Sequence, residues 1–307
     1  MVPVAAVAQA WPAKQVRLVI PFAPGGGADI VGRMLAARIG DATGQQVLVE
    51  NRAGAGGNVG AEVVAKAPAD GYTVLLTTNS IAVNASLYPK LAYSLMRDLA
   101  PVSLIANIPL VLVVHPSVPA KNLRDLVQIA RKAPGRLNYG SGGVGTTTHL
   151  APELLKSLEK LDIVHVPYKG SGVALGALVG GEVDMLVVAA PAAVQQINAG
   201  RVRALAVLMP QRFPDLPDVP STREQGFPNF EISVWYGMLA PTGTPREIIA
   251  RLNTELAKAV TAADMKPRFA SAGVEPLTST PEEFGRFIRS EANRFARVIK
   301  DAGIKPE

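Results

Sequence analysis

Gly140-Ser141-Gly142-Gly143-Val144-Gly145 fits the spacing G-x-G-x-x-G, which puts flexible backbone where a helix begins and lets unpaired N–H groups meet an anion. Two readings of that anion fail in the neighbouring residues. Read as a phosphate loop, the stretch has Thr146 where the lysine belongs, so the charge used on terminal phosphates is missing. Read as a dinucleotide turn, it lacks an acid at the end of the next strand, which finishes in Tyr168-Lys169 and offers no grip on a ribose. A second run, Gly25-Gly26-Gly27, follows apolar Leu18, Val19 and Ile20 and precedes Ile30, Met34 and Ala37 at helical spacing. Here Ile30 takes the third glycine's place. What both turns offer is capture of a small anion by the free amides of a helix start, in the first turn those of Ala28 to Val31. Asp29 either caps that helix or meets the ligand, and Arg33 supports the helix by pairing with it at i, i+4.

Other chemistries lack their parts. The chain has no cysteine, and His115, His149 and His165 stand far apart without carboxylate spacing, so no metal site is expected. His149 follows the threonine run and is either a structural histidine or part of a cleft wall. No G-x-S-x-G elbow is present, and no nucleophile, base and oxyanion hole come together, so binding is expected and catalysis is not. The net charge of +6 is spread along the chain with no basic stripe interleaved with aromatics; it would draw in small anions, and nucleic acid is not an expected partner.

The elements that must hold the two turns alternate strand and helix. After the first turn come a strand at Gln46 to Val49, a second glycine-rich turn at Gly54 to Gly57, a helix from Val59 to Ala67, and a strand from Tyr72 to Leu76 ending in Thr77-Thr78-Asn79-Ser80. Three strands thus end in small polar or glycine residues, as a crevice at the carboxyl ends of a parallel sheet requires. Two apolar runs, Val102 to Ala106 and Leu110 to Val114, split by Asn107 and Pro109, mark a crossover to a second unit with the same grammar. That unit has helices at Leu123 to Arg131, Thr147 to Leu158, up to Val179, and Ala192 to Asn198. Its strands are Leu137 to Tyr139, Ile163 to Val166, Val183 to Val188 and Arg203 to Leu208. Pro210 to Pro228 reads as a surface connection, Phe230 to Ala240 as a second crossover, and Pro245 to Val260 and Pro281 to Ile299 as helices with proline at the first position, returning to cover the first unit. The class is α/β. Aromatics are only 5%, so the core must be aliphatic, as suits buried parallel strands. Met1 to Ala10, ending in Ala8-Gln9-Ala10 before Trp11, reads as the tail of an export signal without its basic start, or else as a disordered or tag-derived leader.

Trp11-Pro12, PFAPGGGADIVGR at 21–33, VENRAGAGGNVGAEVVAKAPADGYTVLL at 49–76, NYGSGGVGTTTHL at 138–150, VPYKGSG at 166–172, GGEVDML at 180–186 and APTGTPREIIARLN at 240–253 form an ordered set of stretches. Together they resemble the periplasmic solute receptors of tripartite tricarboxylate transporters, the Bug receptor family. The resemblance implies a two-lobed periplasmic binding protein, a Venus flytrap of type II-like form, each lobe a mainly parallel sheet flanked by helices. Residues 11–106 plus 231–307 would make one lobe and 107–230 the other. It implies a carboxylated ligand between anchor loops Phe22 to Asp29 and Ser141 to Thr147, with the Ala28 and Asp29 amides, Thr146 and Thr147 as donors. Phe22, Gly26, Gly27, Ser141 and Gly142 belong to those loops; Asn79, Ser80, Lys169, Gly170 and Asp184 are placed near the cleft. A small organic acid and membrane transporter subunits are the implied partners, with no cofactor, a periplasmic location and a monomeric chain. The alternative is a nucleotide-linked enzyme using Gly140 to Gly145.

Overall fold

The computed structural model describes residues 11–22, 24, 25, 27–168 and 170–305. The export-signal reading of residues 1–10 lies outside them. The chain opens with β1 (Val16–Ile20), α1 (Gly27–Thr43), β2 (Val47–Asn51), a 3-10 turn at Ala55–Gly57, α2 (Asn58–Ala65), β3 (Thr73–Thr78), α3 (Ser80–Leu87), a single turn α4 (Leu95–Asp98) and the 16-residue strand β4 (Leu99–Val114). The second unit runs α5 (Leu123–Lys132), β5 (Asn138–Ser141), α6 (Thr147–Glu159), β6 (Val164–Pro167), α7 (Ser171–Val179), β7 (Met185–Ala189), α8 (Ala190–Asn198) and β8 (Arg203–Val207). The chain returns through β9 (Ser233–Pro241), α9 (Arg246–Thr261), α10 (Met265–Ser271), β10 (Glu275–Pro276) and α11 (Pro281–Asp301).

The strands lie in the order β2-β1-β3-β9-β4-β7-β5-β6, with β8 and β10 also pairing β4. In the first half β1 is parallel to β2 and β3; in the second β5 is parallel to β6 and β7. Between them β9 and β4 run antiparallel to their neighbours, so each half is a parallel triplet completed by crossover strands and the sheet is mixed. The two apolar runs expected to be separate form one strand. Along Leu99–Pro109 β4 pairs β9, and from Leu110 onward it pairs β7 and β8. Pro109, opposite Ser233, stands where one partner gives way to the next, a position that tolerates a missing N–H.

Leu18, Val19, Ile20, Leu75 and Leu76 are fully buried, and the core is dominated by aliphatic side chains as the composition requires. α9 packs on α1 and β4, covering the first half as expected. α11 departs from the expectation: it lies against α3 and β4 but also reaches α6, where the Ser157 hydroxyl donates to Asp301 at 3.3 Å. Its start is fixed by a capping box between Thr280 and Glu283 with Pro281 in the first turn, whereas Pro245 caps α9 from outside its first turn. Phe284, Ile288, Phe295 and Val298 recur at helical spacing and are buried. Gly237 is required beneath that stripe, because a Cβ there would lie 2.1 Å from Phe284 Cζ. Trp235, two residues earlier on β9, meets the same ring edge-on at 5.6 Å.

Candidate functional site

β1 delivers the chain to Pro21-Phe22 at the carboxyl end of its strand, and α1 begins at Gly27. The Asp29 carboxylate, 3% exposed, turns back into this loop. Its Oδ2 accepts from the Gly25 amide at 2.9 Å and from Arg33 Nε at 3.0 Å, and its Oδ1 accepts from Asn51 Nδ2 at 3.0 Å. The same Asn51 nitrogen donates to the Phe22 carbonyl at 3.0 Å, so one amide ties both sides of the turn. The hydrogen bond from Arg33 is the largest influence holding Asp29 down to about 2, with Gly25 and Asn51 acting in the same direction against burial. Of the two roles open to Asp29, helix and loop support is the one its side chain performs, and Arg33 performs the supporting role expected of it. Its charge is therefore spent within the loop, leaving the first-turn amides of α1 without intrahelical acceptors. The turn at Ala55–Gly57 braces this loop from behind: Gly57 lies beside Phe22, and a Cβ on Gly60 would stand 2.7 Å from Pro21 Cβ. The Tyr236 hydroxyl, on β9 opposite Thr78, would come within 2.5 Å of a Cβ on Gly27. Burial pushes Tyr236 up to about 12, so its hydroxyl stays protonated and can donate.

The second loop leaves β5 at Ser141 and enters α6 at Thr147, with Thr146 as N-cap residue and no side chain capping that helix. Thr146 Oγ1 donates to the Gly143 carbonyl at 2.7 Å, and Thr148 Oγ1 accepts from the Gly142 amide at 2.8 Å. The threonine run therefore shapes the loop, and the Thr146 hydroxyl's proton is committed there. Gly143 and Gly145 have φ of +123° and +75°, conformations that glycine adopts without strain. Gly170 joins this loop, its amide donating to the Gly142 carbonyl at 3.2 Å; a Cβ on Gly142 would sit 2.6 Å from Ser171 Oγ.

The second loop meets the first half of the chain at α3. Asn79, at the N-cap of α3, donates from Nδ2 to Thr147 Oγ1 at 2.8 Å, and a Cβ on Gly145 would meet Leu87 Cδ2 of α3 at 2.8 Å. Ser80 is the next residue, its hydroxyl 3.0 Å from Thr78 Oγ1. The structure thus gathers Phe22, Gly27, Ala28, Asp29, Asn79, Ser80, Ser141, Gly142, Thr146, Thr147 and Gly170 at the carboxyl ends of β1, β3, β5 and β6. Gly26 and Lys169 lie outside the described residues. Asp184 is a correction: it precedes Met185, the first residue of β7, and so stands at the amino end of a strand parallel to β5. There its Oδ2 accepts from the Asn138 amide at 2.8 Å and it lines a groove with Lys132 and Arg136. Asn51 and Tyr236 are contributors that sequence reasoning did not single out; the signal for Tyr236 was its place in an extended crossover segment beside a strand that ends in the crevice. Among the described residues no group of three or more histidine or acidic side chains could hold a metal ion.

Glycine-rich helix starts at the carboxyl ends of parallel strands in both halves are the frame of a solute-binding protein, and the fold is that of the periplasmic binding proteins. Residues 31–304 match the profile of the tripartite tricarboxylate transporter family receptors, and the chain belongs to that family. Protein BugT of Bordetella pertussis is 38% identical over 300 residues, covering 97% of this chain and 92% of BugT. A protein of R. palustris solved with adipate is 38% identical with a TM-score of 0.79, over 97% of this chain and 100% of the other. MatC from Rhodopseudomonas palustris, solved with bound malate, is 33% identical with a TM-score of 0.75, over 94% and 100%.

Proposed function

We propose that this chain is a periplasmic receptor that captures a small carboxylate between two lobes, residues 11–106 plus 231–307 and residues 107–230, and presents it to membrane transporter subunits. The observation that carries the reading is the bond from Asn79, at the N-cap of α3, to Thr147, at the start of α6, which brings α6 to the carboxyl end of β3, the strand beside the β1 that leads into α1, so that a ligand there would lie between the α1 and α6 helix starts. A carboxylate between them would accept from the amides of Ala28 and Asp29 on one side and of Thr147 on the other, where the helix dipoles favour negative charge. The Thr147 hydroxyl, accepting from Asn79, keeps its own proton to donate, while Thr146 serves the loop. Phe22, Gly26, Gly27, Ser80, Ser141, Gly142, Lys169 and Gly170 complete the proposed surround. Relatives solved with adipate and malate support a carboxylate as the ligand class.

The lobe boundary is supported by β4, which changes partners between Pro109 and Leu110. Closure around an anion adds contacts that an open form lacks, so the ligand shifts the open–closed population by that difference. The chain acts as a monomeric binding protein and not as an enzyme.

A thermal-shift and calorimetry screen of adipate, malate and other organic acids against NAD and ATP tests this. A bound acid at one hundred times its Kd would add about 2.7 kcal/mol of stability. Stabilisation by a nucleotide and by none of the acids would overturn the receptor reading.

A further inference from the structure

Behind the second loop lies a stack of three rings that the anion-binding function does not itself require. Tyr139 of β5, His165 of β6 and His149 of α6 lie nearly parallel, with His149 and His165 centroids 4.0 Å apart and Tyr139 and His165 4.8 Å apart. Each imidazole holds one end of the loop. His149 Nδ1 accepts from the Gly145 amide at 3.1 Å, and His165 Nε2 is 2.7 Å from the Ser141 hydroxyl, which accepts from the Gly143 amide at 3.1 Å. Gly145 immediately precedes Thr146 and Thr147, so the direction of its amide sets how α6 begins. We propose that His149 is a positioning residue of the ligand site: its Nδ1 fixes the Gly145 amide and thereby aims the Thr147 end of α6 at the ligand. This inference rests on the carboxylate-receptor reading.

The bond needs an unprotonated Nδ1, and the surroundings secure it. His149 is 5% exposed; burial first, then the charges of His165 and Lys156, hold it down at about 3. From β5 it faces Tyr139, whose hydroxyl is 2.5 Å from Glu153, and from β6 His165, also lowered by burial. On its own helix Lys156 pairs with Glu153 at 2.6 Å and lies over the Tyr139 ring. β7, packed on the same helix, is the apolar run MLVVA, and α11 brings Asp301 to Ser157, two turns away. A proton on Nδ1 would set donor against donor at Gly145 and place charge on a ring stacked on a second imidazole.

The test compares H149L, which removes the acceptor, with H149N, whose Oδ1 takes a place near that of Nδ1. Affinity for adipate and malate is read by calorimetry and Gly145 amide exchange by NMR. H149L should bind roughly tenfold more weakly with faster Gly145 exchange, and H149N should stay within about threefold of the parent on both readouts. Parent affinity should be flat from pH 8 to 6, above the range in which the two acids themselves take up protons. A folded H149L with unchanged affinity and Gly145 protection would overturn the proposal. So would His149 titrating near pH 6.5 in the parent with affinity falling in step, a measurement that needs no variant. Should the parent bind neither acid, that failure counts against the receptor reading, and Gly145 exchange still decides the role of His149.

Discussion

Asn79 and Thr147, 68 positions apart in the chain, share a hydrogen bond of 2.8 Å that joins the end of β3 to the start of α6. Asn79 is 2% exposed and Thr147 is half-buried, so the bond is partly shielded from water, where it is worth more than on an open surface. Asn79→Ala should weaken carboxylate binding by about 0.5–1.5 kcal/mol, roughly two- to tenfold. Thr147→Val should do the same, and a double-mutant cycle by calorimetry should show coupling between them; strictly additive losses would mean the pair acts through separate contacts.

Gly27 sits where a methyl group would run into the Tyr236 hydroxyl. Gly27→Ala should therefore displace the first turn of α1 and cost affinity. Removing the hydroxyl as well, in Gly27→Ala with Tyr236→Phe, leaves the ring carbon Cζ at an ordinary 3.6 Å and should recover much of the loss. Calorimetry on the single and double variants reads this, and a double variant no better than Gly27→Ala would put the constraint elsewhere.

Asp29 is held below its ordinary range in the folded chain, at about 2 against 3.8. A depressed carboxylate contributes stability that is fully present above the unfolded value and is lost as pH falls through the folded one. The stability difference between the parent and Asp29→Asn, from urea titrations, should be about 1–3 kcal/mol at pH 6 and should shrink as pH drops from about 4 toward 2. A difference independent of pH would show that the carboxylate's charge does not matter to the loop.

Gly237→Ala would force a methyl group into the Phe284 ring. The expected cost is about 1–3 kcal/mol, seen as a Tm lower by several degrees, with ligand affinity per folded molecule nearly unchanged. Adding Phe284→Leu should relieve part of it; an unaltered Tm in Gly237→Ala would mean that α11 shifts freely over β9.

Both glycine turns were legible in the sequence because each is framed by a strand period on one side and a helix period on the other, with apolar Leu18 to Ile20 before Gly25 and Ile30, Met34 after it. The continuity of β4 was not, because Asn107 and Pro109 look like breakers until the change of pairing partner beside them is known. Asp184 was drawn to the cleft by its place in a recognisable stretch, yet an acid that precedes a buried parallel strand stands at the end remote from the crevice. Strand direction alone would have corrected it. The ring stack was invisible for another reason: Tyr139, His149 and His165 are separated by 10 and 16 positions, and only the pairing of β5 with β6, Tyr139 opposite His165, brings them together.

Because β4 pairs β9 along its first stretch and β7 and β8 along its last, the two halves own a length of backbone in common. One continuous apolar cluster follows that shared strand, taking in Val19 and Leu87 from one side, Leu112, Leu150 and Leu205 from the other, and Phe284 and Val298 of α11 along its flank. Neither half could be cut out with its interior intact. Melting should accordingly be a single event, in which loss of the ligand crevice and loss of the fold coincide.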